Sequence, residues 1–194
     1  MNNRLFISGI PAAGKSYLAR KLAKHLNGIH IPTDAIYKEK SKDPDYKKWI
    51  NFYWDKDEKI YYENTTPDDQ WKNLKEQSEH LWPLNLEKIR GYEKEFRFVV
   101  FEGVNMLPHL ARQDLGFPGI VLLGSSFKDI LKRNHKHPRW GSTAELQKIE
   151  AESFWNIERP RYKAEAERCG YPTFENGDDA FEYVIKRFTT QEPD

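Results

Sequence analysis

The chain has 194 residues, of which 38% are hydrophobic and 31% charged, with a net charge of +1. That length fits one domain with a small appended lobe, and the balanced charge excludes the global basic field that nucleic-acid binding favours. A lone cysteine, Cys169, excludes an intrachain disulfide and no apolar run approaches the roughly 20 residues of a membrane helix, so a soluble, cytoplasmic protein is expected, with Cys169 a buried small hydrophobe.

Leu5-Phe6-Ile7-Ser8 is a short apolar run ending at Gly9, and it reads as a buried strand. After a glycine-rich turn, Leu18, Leu22 and Leu26 recur every four residues beside Ala19 and Ala23, which predicts a helix stopped by Asn27-Gly28. Ile29 to Pro32 is a second strand, ending in Thr33-Asp34. From about 35 to 95 the chain is polar and rich in large aromatics, among them Trp49, Tyr53, Tyr61, Trp71 and Trp82. Two helices are expected there, near 46–62 and 68–94, the second capped by Asp68 after Thr66-Pro67 and kinked at Pro83. A third strand is read at 97–101, ending at Glu102-Gly103, and a fourth at 120–123. A helix follows at 127–134. Ser142 and Glu145 then suggest a capping box opening a long helix to about 168, bent at Pro160. A fifth strand at 172–175 and a last helix capped by Asp178, with Phe181, Val184, Ile185 and Phe188 on its core face, complete the chain before a frayed tail at 191–194. Short apolar strands alternating with helices predict a parallel sheet covered on both faces.

Gly9-Ile10-Pro11-Ala12-Ala13-Gly14-Lys15-Ser16 matches G-x-x-x-x-G-K-[ST] in full. Chance supplies such a match in about one chain in a hundred of this length, and here it lies between a predicted strand and a predicted helix, as the motif requires. Its glycines allow the backbone N–H groups to converge on phosphate oxygens, aided by the positive end of the helix. Lys15 reaches the β- and γ-phosphates, and Ser16 is placed to ligate magnesium. Gly9, Ala12, Ala13, Gly14, Lys15, Ser16 and the adjoining Tyr17 are therefore the expected nucleotide contacts.

Parallel sheets bind ligands at the carboxyl ends of their strands. Asp34 stands there after strand two and suits a group that accepts or orients a substrate hydroxyl proton, its alternative role being an N-cap. Glu102 ends an apolar run, where a carboxylate needs a reason. It suits a magnesium ligand acting through water, and its alternative is a hydrogen bond to the following loop. Ser16, Asp34 and Glu102 thus form the expected metal set. Asp34, Glu102 and Gly103 form the expected acceptor contacts, Gly103 by permitting close approach or by serving only as a turn. The basic run Lys132 to Gly141 predicts a lid about 132–142, with Arg133 and Arg139 stabilising transferred phosphate. Lys15, Asp34, Arg133 and Arg139 are the catalytic candidates.

On the loop, Asp34 and Glu102-Gly103, the chain resembles the P-loop small-molecule kinases, the group of shikimate, gluconate, adenylate and 2-phosphoglycerate kinases. Glu102-Gly103 followed by Val104 to Leu110 looks most like the 2-phosphoglycerate kinase-like proteins. Only one acid follows strand two, where shikimate kinases carry an Asp-x-Asp pair. Arg159-Pro160-Arg161-Tyr162-Lys163-Ala164-Glu165-Ala166 is similar to their Arg-x-Pro-Leu-Tyr-x-x-x-Ala stretch, in a register that differs by one. The resemblance carries the substrate-carboxylate role to Arg159. It also implies an α/β sandwich with a five-stranded parallel sheet in order 2-3-1-4-5, Arg133 near the nucleotide, and the Asn176-Gly177 neighbourhood beside adenine. A single domain with a helical substrate-binding insert at 35–95 is expected. The functional expectation is an ATP- and magnesium-dependent phosphotransferase acting on the hydroxyl of a small, anionic metabolite. A nucleoside monophosphate kinase, a nucleotide-binding regulatory protein and a polynucleotide end kinase are the alternatives.

Overall fold

The computed structural model describes residues 3–189; the tail at 191–194 lies outside them. Five parallel strands form one sheet in the order β2-β3-β1-β4-β5, namely β1 (Arg4–Gly9), β2 (Ile29–Pro32), β3 (Val99–Glu102), β4 (Gly119–Leu122) and β5 (Thr173–Phe174). β1 is central, with Phe6 opposite Phe101 on one side and Ile7 opposite Ile120 on the other. Successive residues of β1 and β3, which point to opposite faces, are nearly all buried. Both faces of the sheet are therefore covered.

The helices are α1 (Lys15–His25), α2 (Ala35–Lys40), α3 (Lys47–Ile50), α4 (Glu58–Asn64), α5 (Pro67–Arg90), α6 (Pro108–Asp114), α7 (Phe127–Lys136), α8 (Ala144–Ser153), α9 (Arg159–Cys169) and α10 (Gly177–Thr189). α1 packs beside α10, and α6 beside α9. Between β2 and β3 the chain is helical, as expected. This insert has a small core of its own from Ile36, Leu81 and Leu84, while Leu74, Trp82 and Ile89 of α5 join the main core.

Several boundaries differ from the sequence reading for identifiable reasons. The helix expected at 46–62 is two short ones, α3 and α4. The chain between them turns so that Tyr53 packs edge-on against Tyr61 and Trp140, and Asp57 starts α4 by accepting from Ile60 N–H. Thr66, not Asp68, caps α5, in a reciprocal capping box with Asp69 and with Pro67 in the first turn; Asp68 is left to pair with Arg161. Pro83 sits inside α5 without ending it, on the exposed side of the helix, where a freed carbonyl meets water. Thr143 rather than Ser142 caps α8. Asn176, not Asp178, caps α10, accepting from the N–H groups of Asp178 and Asp179. Ala180 and Val184 are the buried residues of α10, with Phe181, Ile185 and Phe188 partly buried against the core. After α1, Asn27 takes the left-handed conformation (φ 49°). Gly28 is needed instead for closeness, because a Cβ there would stand 2.3 Å from Phe98 O. Cys169 is half-buried.

The long helix predicted to bend at Pro160 is continuous but contains a π turn, Phe154–Glu158, between α8 and α9. The Arg159 N–H donates to Phe154 O across this wide turn. One extra residue in a turn rotates the next stretch of helix by roughly 100° relative to an unbroken α-helix. Among the described residues, no helix is long and apolar enough to cross a membrane.

Candidate active site

The carboxyl ends of β1, β2 and β3 deliver three groups to one edge of the sheet: the glycine loop, Thr33-Asp34 and Glu102-Gly103. In the loop, Ala12 (φ 56°) and Gly14 (φ 100°) adopt left-handed conformations, which turn successive N–H groups toward a common centre. Gly14 begins α1 with no side-chain cap, whereas Thr66, Ser126 and Thr143 cap α5, α7 and α8. The first N–H groups of α1 are thus left for an anion. Gly9 (φ 129°) cannot carry a side chain, since a Cβ would meet Leu122 O at 2.0 Å.

Lys15 is 6% exposed. Its Nζ folds back over the loop and donates to Gly9 O (2.8 Å) and Ile10 O (2.7 Å). Burial lowers its pKa to about 8, with Glu102 opposing that shift and Arg139 adding to it. Ser16 Oγ donates to Glu102 Oε1 (2.8 Å), and His30 Nε2 lies 3.3 Å from the same oxygen. Burial pushes the Glu102 carboxyl up, but His30, Lys15 and Ser16 together hold it below the ordinary carboxylate range. Glu102 is therefore an ionised acid locked to the loop serine. These two hard oxygen donors at the mouth of the loop fit a magnesium ion held through a hydroxyl and water.

Asp34 starts α2, but its side chain makes no capping hydrogen bond. Desolvation in the cleft, then Glu102, raise its pKa, against Arg139 and Lys15. It lines the rim of a cavity of about 380 Å³. Gly103 is required for close approach, although the group that approaches is Thr33, whose Oγ1 would stand 2.2 Å from an added Cβ. Arg133, in α7, donates through Nη1 to Ala12 O and Ala13 O, both at 3.1 Å, and so ties α7 to the phosphate loop. Tyr17 is 67% exposed. The expected basic lid is helical as far as Lys136, leaving a short connection before Thr143. Arg139 of that connection lines the cavity. Trp140 is inserted among Tyr53, Tyr61 and Tyr62.

Arg159 is not brought to this cavity. It pairs with Glu175 (2.6 Å) and stacks on Trp155. Glu158 lines the cavity instead, and burial raises its pKa to about 7. The sequence reading missed Glu158, Glu150 and the amides Gln77 and Asn105. For Glu158 a signal existed: setting Pro160 and Tyr162 on the Pro and Tyr of Arg-x-Pro-Leu-Tyr puts Glu158 where that stretch has its arginine. Tyr162 anchors this register, fully buried, with its hydroxyl donating to Val104 O at 2.6 Å.

No protein-family model matches the chain, and no curated protein sequence does. Its fold has clear likenesses among solved structures. Shikimate kinase from Acinetobacter baumannii in complex with shikimate matches 98% of this chain and 95% of its own, at TM-score 0.57 and 14% identity. Shikimate kinase from Bacteroides thetaiotaomicron matches 96% of this chain and 98% of its own, at TM-score 0.55 and 13% identity. Deoxyadenosine kinase from M. mycoides with bound dATP matches 96% of this chain and all of its own, at TM-score 0.52 and 15% identity. These likenesses give no support to the narrower resemblance to 2-phosphoglycerate kinase-like proteins. At such identities they establish architecture alone: the chain has the three-layer α/β fold of the P-loop small-molecule kinases.

Proposed function

We propose that the protein is a phosphotransferase that moves the γ-phosphate of ATP, with magnesium, to a hydroxyl of a small molecule. The observation that carries this reading is the meeting of two spaces: a phosphate loop with its lysine and serine, and a separate cavity rimmed by Asp34 and Arg139. A protein that only held nucleotide as a switch would need no such second cavity.

The geometry supports the following roles. The loop N–H groups and Lys15 hold the triphosphate, Lys15 exchanging its two carbonyl partners for phosphate oxygens. Ser16 and Glu102 would hold magnesium, which when bound would offset phosphate charge. Asp34, free of capping duty, orients the acceptor hydroxyl and takes its proton as the oxygen attacks the γ-phosphorus. The bond from that phosphorus to the bridging oxygen breaks, and ADP leaves. Arg133 keeps the loop in shape, and Arg139 offsets charge on the transferred group. The anionic acceptor expected from sequence, and a nucleoside monophosphate equally, would need a cation in the cavity beyond Arg139, which serves the transferred phosphate, and Lys38, which is exposed at the lining. Arg159, the residue assigned that task, is committed to Glu175.

The test is incubation of the chain with γ-labelled ATP, magnesium and a pool of small alcohols, followed by identification of any labelled product. Asp34→Asn lowers turnover by about a hundredfold or more with the loop intact. Full turnover in that variant would remove Asp34 from the chemistry, and slow hydrolysis with no labelled product would return the switch reading.

A further inference from the structure

The cavity beside the phosphate loop is lined by aromatic rings, by the acids Asp34, Glu150 and Glu158 and by the cations Lys38 and Arg139, and its side-chain amides are engaged. Tyr53, Tyr61, Tyr62 and Trp140 form one cluster with ring centroids 5.3 to 6.0 Å apart. Gln77 Nε2 donates to Trp49 O (2.9 Å), Asn105 Nδ2 to Ser78 Oγ (3.0 Å) and Gln70 Nε2 to Thr65. The hydroxyls of Ser153 and Tyr37 donate to Gln70 and Asn85. Of the acids, Glu150 is held from behind by Asn134 Nδ2 at 2.8 Å. Glu158 is not. Its Oε2 is buried without a hydrogen-bond partner, and no ion pair within 4.0 Å reaches it among the described residues. Arg139 and Lys15 act on it only through space, and both are cations that a triphosphate engages.

With nucleotide in the loop, Glu158 is therefore a half-buried carboxylate, one oxygen fully enclosed, beside a polyanion with no counter-charge of its own. Resting on the kinase reading of the site, we propose that the acceptor is an alcohol bearing a positively charged nitrogen, which Glu158 receives against the aromatic wall. A buried carboxylate is costly until paired, and ring faces attract cations for the same electrostatic reason. An anionic acceptor would bring a like charge to Glu158 and find the cavity's amide donors turned away. Because burial holds the Glu158 carboxyl at about 7, an arriving cation also keeps it ionised at neutral pH. The π turn matters here, because its extra residue brings Glu158 rather than Arg159 to the cavity.

Three probes of nearly equal size separate the charge classes: glucosamine, glucose and glucuronate, with tetramethylammonium as a cation lacking a hydroxyl. Binding is measured by calorimetry on the full chain with a non-hydrolysable ATP analogue, and transfer separately from γ-labelled ATP. Glucosamine should bind at least about tenfold more tightly than glucose, and glucuronate more weakly than either. Glu158→Gln should bring glucosamine and glucose to within about twofold, and Glu158→Arg should turn the preference toward glucuronate. Equal binding of the three probes, a preference unchanged in Glu158→Gln, or no binding of either cation at millimolar concentration overturns the proposal. Glucosamine that binds with the stated preference but gains no label sustains the cation site and counts against the kinase reading. Label appearing on glucose or glucuronate in preference to glucosamine sustains the kinase reading and overturns the cation site.

Discussion

The resting position of Lys15 has a measurable consequence for nucleotide binding. An ordinary lysine holds its proton to about 10.5, whereas buried Lys15 lets go at about 8. Its charged form therefore carries a penalty of roughly 3 kcal/mol in the free protein. A bound triphosphate reverses this by surrounding the ammonium with negative charge. Above about pH 8 the free protein has lost the proton that the complex keeps, so binding takes up a proton and affinity falls as pH rises. Glu158, the other nearby group, sits at about 7 and is already ionised by pH 8. Glu102 and Asp34 also face Lys15, and Glu102 is held below the ordinary carboxylate range. From pH 8 to 9.5 the charged fraction of Lys15 falls from about one half to about 3%, which weakens ATP binding about 16-fold, or ~1.6 kcal/mol. Calorimetry across that window, in two buffers of different ionisation enthalpy, reads both the affinity and the proton uptake. The dependence should survive in Glu158→Gln and vanish in Lys15→Met. A flat profile, or one that persists in Lys15→Met, refutes the argument.

Two further outcomes rest on contacts around the loop. Gly9→Ala puts a Cβ 2.0 Å from Leu122 O at a left-handed φ, so it should cost about 3 kcal/mol or more and lower the melting temperature by roughly 6–12 °C. Gly177→Ala, with nothing within 4 Å of the added carbon, should leave the midpoint nearly unchanged, and equal effects at the two sites would refute the packing argument. Glu102→Gln keeps the shape but removes the charge beside Ser16. It should raise the magnesium needed for half-maximal turnover about tenfold or more, and an unchanged magnesium profile in a titration of activity would remove Glu102 from the metal site.

The fold was legible because its strands are short and apolar on both faces. Leu5 to Ile7 and Val99 to Phe101 can be satisfied only inside a covered parallel sheet, and the loop motif fixed which strand comes first. The errors lay where tertiary contact outweighs local pattern. Tyr53 and Trp140 draw the chain between α3 and α4 into a shared aromatic cluster, which helix propensity over 46–62 cannot reveal. At the caps, two candidates one to two residues apart competed at each start, and Thr66, Thr143 and Asn176 each prevailed over a neighbour by reaching the right N–H.

Residue type was enough to propose the phosphate half of the site, because a fixed motif encodes it, and the fold brings that motif beside Glu102. The acceptor half depends on rotation about a helix axis. Arg159 and Glu158 are adjacent in sequence and roughly 100° apart on a helix, so a register error of one exchanges a cation for an anion in the cavity. The choice is settled by Tyr162, whose buried hydroxyl is pinned to Val104 O, and by the wide turn that ends at Glu158. The first leaves only the Pro160–Tyr162 spacing as a local trace, since its partner lies 58 residues away, and the second answers to packing along α8 and α9. An arginine beside a proline looked like the anion-binding group, yet its guanidinium is held by Glu175 and Trp155. The cavity receives Glu158 alongside Arg139, and on the cation-site proposal the expected sign of the acceptor changes.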